Sequence, residues 1–150
     1  MRFLVLAIPL KAKVSIMIIR DGFVTNSSST NFLIISKEEL TEEYLLNKLG
    51  FKHNSLIRVA GERLVESIFS GIQSGLRWYD FDTHNPTYDE VLKVFGVESA
   101  DKFRELTKRG HKTYMGYTNS DDGGLSTFLT TDYFLIDDRD FYFDGRNSSW

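Results

Sequence analysis

At 150 residues, with 41% apolar and 26% charged side chains, the chain is long enough to bury one hydrophobic core and has the composition of a globular domain. Because it contains no cysteine, disulfides, thiol nucleophiles and zinc sites built on thiolate are excluded. Its net charge of −3 disfavours a broad nucleic-acid-binding surface, which would need a basic stripe.

Residues 1–16 begin with Arg2 and an apolar run, a combination that is typical of short signal peptides. The run contains Pro9 and ends at Lys11, and no small-residue cleavage site follows it cleanly. It is also too short to span a bilayer. We therefore expect a cytoplasmic or virion-associated protein rather than a secreted or membrane protein.

Residues 17–29 read Met-Ile-Ile-Arg-Asp-Gly-Phe-Val-Thr-Asn-Ser-Ser-Ser. This stretch resembles the opening of a loose group of uncharacterised bacterial, archaeal and phage proteins, which start with Met, a short apolar and basic run, Gly-Phe-Val-Ser/Thr-Asn and several serines. The resemblance implies a phage or mobile-element setting and no known activity, so it assigns no catalytic residue. Because it starts at Met17, residues 1–16 are interpreted as a possible N-terminal extension and residues 17–150 as a single α+β domain.

A polar tract joins two apolar runs at residues 25–31. Hydroxyl and amide side chains bond to nearby backbone groups, so the tract predicts a turn between two buried strands. The alternative is an anion- or partner-binding loop, in which hydroxyls and successive N–H groups converge on a phosphate or carboxylate. The residues of that loop would be Asn26, Ser27, Ser28, Ser29 and Thr30.

Four helical segments are predicted between the N-terminal and C-terminal strands. Ser36 and Thr87 are each followed three residues later by Glu, which is the capping-box spacing, and they start the first and third helices. Gly50 ends the first helix, Ser99 caps the fourth, and Gly110 follows the last turn of the fourth. The second helix has the strongest periodicity. Its apolar stripe consists of Leu64, Val65, Ile68, Phe69, Ile72 and Leu76.

Asp80, Asp82 and His84 alternate in a polar-aromatic segment that follows the second helix. In an extended segment the three side chains would face one way, where they could hold a divalent metal or perform acid–base chemistry. The alternative is a solvated loop, in which Asp, His and Asn before Pro are routine. The three histidines of the chain lie far apart in sequence and are interpreted as ordinary surface or partly buried residues.

From His111 the pattern changes to strands that are rich in aromatic and β-branched residues. The predicted strands are 113–117, 125–130, 133–136 and 141–143. Residues 119–124 and 137–140 are predicted turns. Four carboxylates in this region could gather a cation, although solvated Asp in turns is the simpler interpretation. They belong to Asp137, Asp138, Asp140 and Asp144.

The order of strands, four helices and strands predicts an α+β fold, with a mostly antiparallel sheet built from the N-terminal and C-terminal strands. The leading hypothesis for function is a non-enzymatic interaction or structural protein of phage or mobile-element type, with another protein as its partner and no cofactor. The alternative is a small metal- or phosphate-handling enzyme that uses Asp80, Asp82 and His84, or the loop at Ser27, Ser28 and Ser29. In that case a divalent metal would be the cofactor.

Overall fold

Four strands and four helices run through the residues that the computed structural model describes, which are 29–51, 53, 57–75, 82–119, 128–129 and 134–149. The strands are β1 (Ser29–Ser36), β2 (Lys112–Asn119), β3 (Leu135–Asp137) and β4 (Phe141–Ser149). The helices are α1 (Glu42–Lys48), α2 (Arg58–Gln73), α3 (Tyr88–Phe95) and α4 (Val97–Lys108). The sheet has the order β2-β1-β4-β3 and every pairing in it is antiparallel, so the predicted α+β class is confirmed.

Strand β1 is the centre of the sheet, with β2 on one side and β4 on the other. Its side chains alternate between the two faces, so that Phe32 and Ile34 lie on one face and Leu33 and Ile35 on the other. All four are fully buried. A strand that is covered on both faces has no solvent side for polar residues, which explains why the sequence is continuously apolar here.

The helices cover both faces and give the molecule three layers. Helices α1 and α2 lie on the first face and contribute Leu45, Leu46, Leu64, Val65, Ile68 and Ile72. Helices α3 and α4 lie on the second face and contribute Val91, Val94, Ala100, Phe103 and Leu106. Each face of the sheet is therefore buried by its own pair of helices.

Close packing on the first face depends on a glycine in β2. A Cβ atom at Gly116 would overlap the ring of Phe32 on the neighbouring strand. Without that side chain the Phe32 ring lies against Gly116 and contacts Phe143, whose ring centroid is 5.8 Å away. Glycine usually weakens a strand, so its presence here follows from the space that the aromatic ring needs.

Two of the predicted helix starts are wrong. Ser36 is the last residue of β1, fully buried, and its hydroxyl donates to the carbonyl of Glu38 at 2.7 Å. Helix α1 begins at Glu42, after the cap Thr41, because the apolar run before Ser36 continues as strand as far as it can pair with both neighbours. Ser99 lies inside α4, which begins directly after Gly96, and its hydroxyl points into the core rather than to a helix end.

Other predicted elements are confirmed, extended or shifted. Thr87 and Glu90 form the predicted capping box of α3. The turn predicted at 137–140 is confirmed at 138–140, where the Asp138 N–H donates to the Phe141 carbonyl between β3 and β4, whereas Asp137 is the last residue of β3. β2 and β4 are longer than predicted, and β3 begins two residues later. The strand predicted at 125–130 is wrong at the two residues described there, since Phe128 and Leu129 are helical.

Candidate functional site

The polar tract of the sequence continues into the central strand. Ser29 and Thr30 belong to β1, where they pair with Asn119 and Thr118 of β2, so the turn predicted at 25–31 is wrong for residues 29–31. Thr30 is fully buried and its hydroxyl makes no hydrogen bond with the described residues. Asn26, Ser27 and Ser28 lie outside the described residues, so the anion- or partner-binding loop stays a prediction.

The segment with the alternating carboxylates is bent at residues 83–85, not extended. The Asp82 carboxylate accepts the backbone N–H groups of His84 at 2.9 Å and Asn85 at 3.1 Å. These hydrogen bonds, led by the one from His84, lower the pKa of the Asp82 carboxyl. Asp82 therefore closes a local turn, and the metal site of Asp80, Asp82 and His84 stays a prediction. Asp80 lies outside the described residues.

The acidic residues near the C-terminus bond to separate partners. Asp137 pairs with Lys102 at 2.7 Å, Asp138 with Lys48 at 3.1 Å, and Asp140 lies 3.9 Å from Lys37. Asp144 is buried and bonds to Arg146. Among the described residues no three His, Asp or Glu side chains are grouped as metal ligands.

Asp144 is the centre of a buried polar network between β4 and the start of α4. It accepts the Ser99 hydroxyl at 2.5 Å and the Arg146 guanidinium at 3.0 Å. Burial first, and then the negative charge of Asp144, raise the pKa of Tyr142 to about 12. Since each of these groups has a partner within the chain, we interpret the network as a structural clamp that holds α4 on the sheet.

A cleft of about 520 Å³ lies where the end of α4, the start of β2 and residues 84–86 meet. Its wall brings together His84 and His111, which are far apart in sequence. The described residues that line it are His84, Asn85, Pro86, Phe103, Thr107, His111, Lys112, Thr113 and Tyr114. A volume of this size is ordinary for a small-molecule site.

The end of α4 places His111 in the cleft. Gly110 has φ of 85° and its N–H donates to the Thr107 carbonyl at 2.9 Å, while the His111 N–H donates to the Leu106 carbonyl at 3.2 Å. This is the pair of hydrogen bonds of a Schellman motif, which satisfies the last carbonyls of a helix and turns the chain sharply away. His111 is therefore the first residue after the helix stop and directly precedes β2.

Two buried polar side chains of the cleft lack partners. His111 is 9% exposed, and neither of its ring nitrogens makes a hydrogen bond with the described residues. Thr113 is 4% exposed, and its hydroxyl is likewise unpaired within the described part of the chain. An unsatisfied buried polar group costs about 1–3 kcal/mol, and two such groups belong to the lining of this cleft.

The opposite wall is held against the outer edge of β2. The Thr83 carbonyl accepts the N–H of Met115 at 2.8 Å, and the ring of His84 contacts that of Tyr114 edge-to-face with centroids 5.8 Å apart. The Met115 N–H therefore points away from β1. Since alternate residues of an antiparallel strand direct both backbone groups to the same side, the N–H and C=O of Thr113 point to this edge as well.

The described lining of the cleft carries positive charge and no negative charge. Lys112 supplies an ammonium group and the two histidines supply imidazoles, while the described lining residues include no carboxylate. Glu39 lies at the rim, with its carboxylate 3.4 Å from the Lys112 ammonium, and both side chains are more than half exposed. Because exposed ion pairs are weak, Lys112 remains available to a ligand.

Sequence reasoning found His84 but did not connect it with His111. The signal that was present is Gly110, which predicts a helix end and thus a change of direction directly before His111. The position of residues 84–86 beside β2 carried no sequence signal, because it depends on the packing of two elements that are distant along the chain.

No protein-family model, no curated protein and no solved structure matches the chain. None of the helices in the described ranges has the length and apolar character needed to cross a bilayer. Function therefore has to be argued from the cleft itself.

Proposed function

We propose that this protein is a non-enzymatic binding protein of phage or mobile-element type, and that its binding site is the cleft between α4, β2 and residues 84–86. The observation that carries the proposal is the His111 imidazole, which is buried in the cleft with no hydrogen-bond partner among the described residues. A bound ligand would supply the missing partner and recover the free energy that the unpaired group costs. The resemblance of residues 17–29 supports the phage or mobile-element setting.

The composition of the wall supports binding of a small group. Phe103, Pro86 and the ring of Tyr114 give it an apolar body, and polar side chains belong to the same lining. Ligand sites generally combine these two features, since apolar area supplies affinity and the polar groups fix orientation. The partner protein expected from the sequence would reach such a cleft with one projecting side chain.

Two-dimensional amide NMR with a library of small fragments tests the proposal. We expect the shifted resonances to cluster on residues 84–86 and 111–114, and we expect His111→Leu to abolish those shifts. His53→Leu is the matched control, because His53 is exposed and does not belong to the cleft lining. Shifts that are absent, or that are equally strong in both variants, would refute a binding site in the cleft.

A second candidate is the small metal- or phosphate-handling enzyme considered from the sequence. It is favoured by the presence of both His84 and His111 in the lining of one cleft, since imidazoles can exchange protons with a substrate. Hydrolysis of a chromogenic phosphate ester, measured with and without Mg²⁺ or Mn²⁺, tests it. The enzyme predicts turnover that His84→Ala removes, whereas the binding protein predicts no turnover under either condition.

A further inference from the structure

We infer that the ligand of the cleft carries an oxyanion, a carboxylate or a phosphate, on an aromatic or other flat apolar body. The inference rests on the proposed function, because it names the chemistry of a ligand for that same cleft. The oxyanion would lie at the end formed by His111, Lys112 and Thr113. The apolar body would lie against Phe103 and Pro86.

The polar end of the cleft is rich in donors. A neutral imidazole offers one N–H, the Thr113 hydroxyl offers an O–H, and Lys112 offers three N–H groups. The backbone N–H of Thr113 faces the same edge of the sheet, as the bond between Met115 and Thr83 establishes. An ionised carboxylate or phosphate only accepts hydrogen bonds, so it can satisfy several of these donors at once.

The sign of the charge leads to the same ligand class. Lys112 is the formally charged residue of the described lining. The carboxylate that pairs with it belongs to Glu39, which lies at the exposed rim of the cleft. A cationic ligand would meet Lys112 without a carboxylate in the described wall to offset the repulsion. Charge-assisted hydrogen bonds are also the stronger kind, so an anion gains more from the same donors than a neutral ligand does.

The other end of the cleft is suited to a flat apolar group. Phe103 is 8% exposed and belongs to the core of the second face, which keeps its ring in a fixed position. The pyrrolidine ring of Pro86 is rigid because it is closed onto the backbone nitrogen. Aromatic and proline rings that are already fixed lose little conformational entropy when a ring packs against them.

The test uses four ligands that share a benzene ring and differ in charge: benzoate, phenyl phosphate, benzamide and benzylamine. Calorimetric titration of the full chain gives the affinities, and amide NMR places each ligand. We expect benzoate or phenyl phosphate to bind about tenfold more tightly than benzamide, and benzylamine to bind most weakly. The order of the two anions distinguishes a carboxylate-binding cleft from a phosphate-binding one.

Two variants link the preference to named groups. Lys112→Met should lower the affinity for the anions about tenfold and leave that for benzamide unchanged, since only the charge is lost. Thr113→Val, which replaces a hydroxyl by a methyl group, should weaken binding of the anions and leave the thermal transition in place. Lys37→Met, which removes a lysine paired with Asp140 and outside the described lining, should change neither affinity.

The outcomes separate this inference from the proposal on which it rests. If benzamide or benzylamine binds the cleft as tightly as the anions, the cleft is a binding site and the oxyanion inference is wrong. If none of the four ligands shifts the resonances of residues 84–86 and 111–114, both the binding site and the oxyanion are refuted. Equal loss of all affinities in Lys112→Met would also overturn the assignment of charge.

Discussion

His111 and Asp144 are both buried polar side chains, and they differ in what surrounds them. Asp144 is 2% exposed and accepts hydrogen bonds from Ser99 and Arg146. His111 is 9% exposed and has no partner among the described residues. A satisfied buried group stabilises its fold, whereas an unsatisfied one destabilises it unless a ligand completes it. The two residues should therefore respond in opposite directions to apolar substitution.

The first prediction concerns His111 and Ser99, whose hydroxyl donates to Asp144. His111→Leu should raise the free energy of unfolding by about 1 kcal/mol, because it removes an unpaired buried group and keeps its apolar contacts. Ser99→Ala should lower it by about 1–3 kcal/mol, since it removes a buried hydrogen bond to the Asp144 carboxylate. Urea denaturation at pH 7 measures both. A loss of stability in His111→Leu as large as that in Ser99→Ala would contradict a ligand-binding role for His111.

The second prediction concerns pH. Burial, with the charge of Asp144 second, raises the pKa of Tyr142 from its ordinary value of 10.0 to about 12. Between these two values the unfolded chain has released the phenol proton and the folded chain still holds it. Stability is therefore intact below the unfolded pKa and falls as pH rises towards the folded pKa. The fall due to this residue should be about 2 kcal/mol.

Tyr142→Phe isolates that contribution, because phenylalanine has no proton to release. Denaturation of both proteins should be followed between about pH 9 and pH 12, the window set by the unperturbed and raised values. The wild type should lose more stability than the variant across it. Parallel curves would show that the Tyr142 hydroxyl is not held neutral by the fold.

At the scale of elements, the end of α4 decides where the cleft forms. Gly110 and Gly50 both follow helices, both have φ of 85°, and neither has atoms close to the place where a Cβ would lie. They differ in what comes next, since His111 and the cleft follow Gly110 whereas Phe51 follows Gly50. Comparing the same substitution at Gly110 and at Gly50 therefore separates the cost of backbone strain at positive φ from an effect on the position of His111.

The third prediction uses that pair. Gly110→Ala and Gly50→Ala should each cost about 1 kcal/mol of stability, because alanine is strained at positive φ. Gly110→Ala alone should also weaken binding of the tighter anion, since any relaxation of the helix end displaces His111. Thermal melts and calorimetry on both variants measure the two effects. Equal affinity in both would mean that the helix end does not position the site.

The fourth prediction concerns the packing of strand against strand. Gly116→Ala should cost about 1–3 kcal/mol, because its Cβ would overlap the Phe32 ring and the ring cannot leave the core without opening a cavity. Phe32→Leu in the same chain should relieve part of that loss, so the double variant should be more stable than the two single effects added together. Chemical denaturation of the wild type and the three variants gives the four stabilities of this double-mutant cycle. Strict additivity would show that the two residues do not compete for one space.

At the scale of the whole molecule, the fold is three layers in which β1 is covered on both sides. The cleft lies at the rim of the second face, at the outer edge of β2, where α4 ends and residues 84–86 run past. An edge strand directs backbone groups to its outer side, and here the Thr83 carbonyl pairs with one of them, the Met115 N–H. A site at such an edge can offer backbone donors as well as side chains without interrupting the ladder between β1 and β2.

Much of the architecture was predictable because it depends on local patterns. The apolar run at 32–35 predicted a buried strand, the stripe from Leu64 predicted α2, and Thr87 with Glu90 predicted the start of α3. Local patterns failed where two interpretations of one segment compete. Ser36 has the sequence spacing of a helix cap, but it is also the last residue of β1 that pairs with both neighbouring strands. Because it pairs on both sides, it belongs to the strand.

The sequence by itself determined the fold class, most elements and the helix end at Gly110, because propensity, periodicity and capping act between residues that are close along the chain. Only the tertiary structure decided that His84 and His111 share a cleft and that Ser99 bonds to Asp144. These contacts join residues whose distance in space is set by the stacking of helices on the sheet. No spacing rule within one segment contains that information.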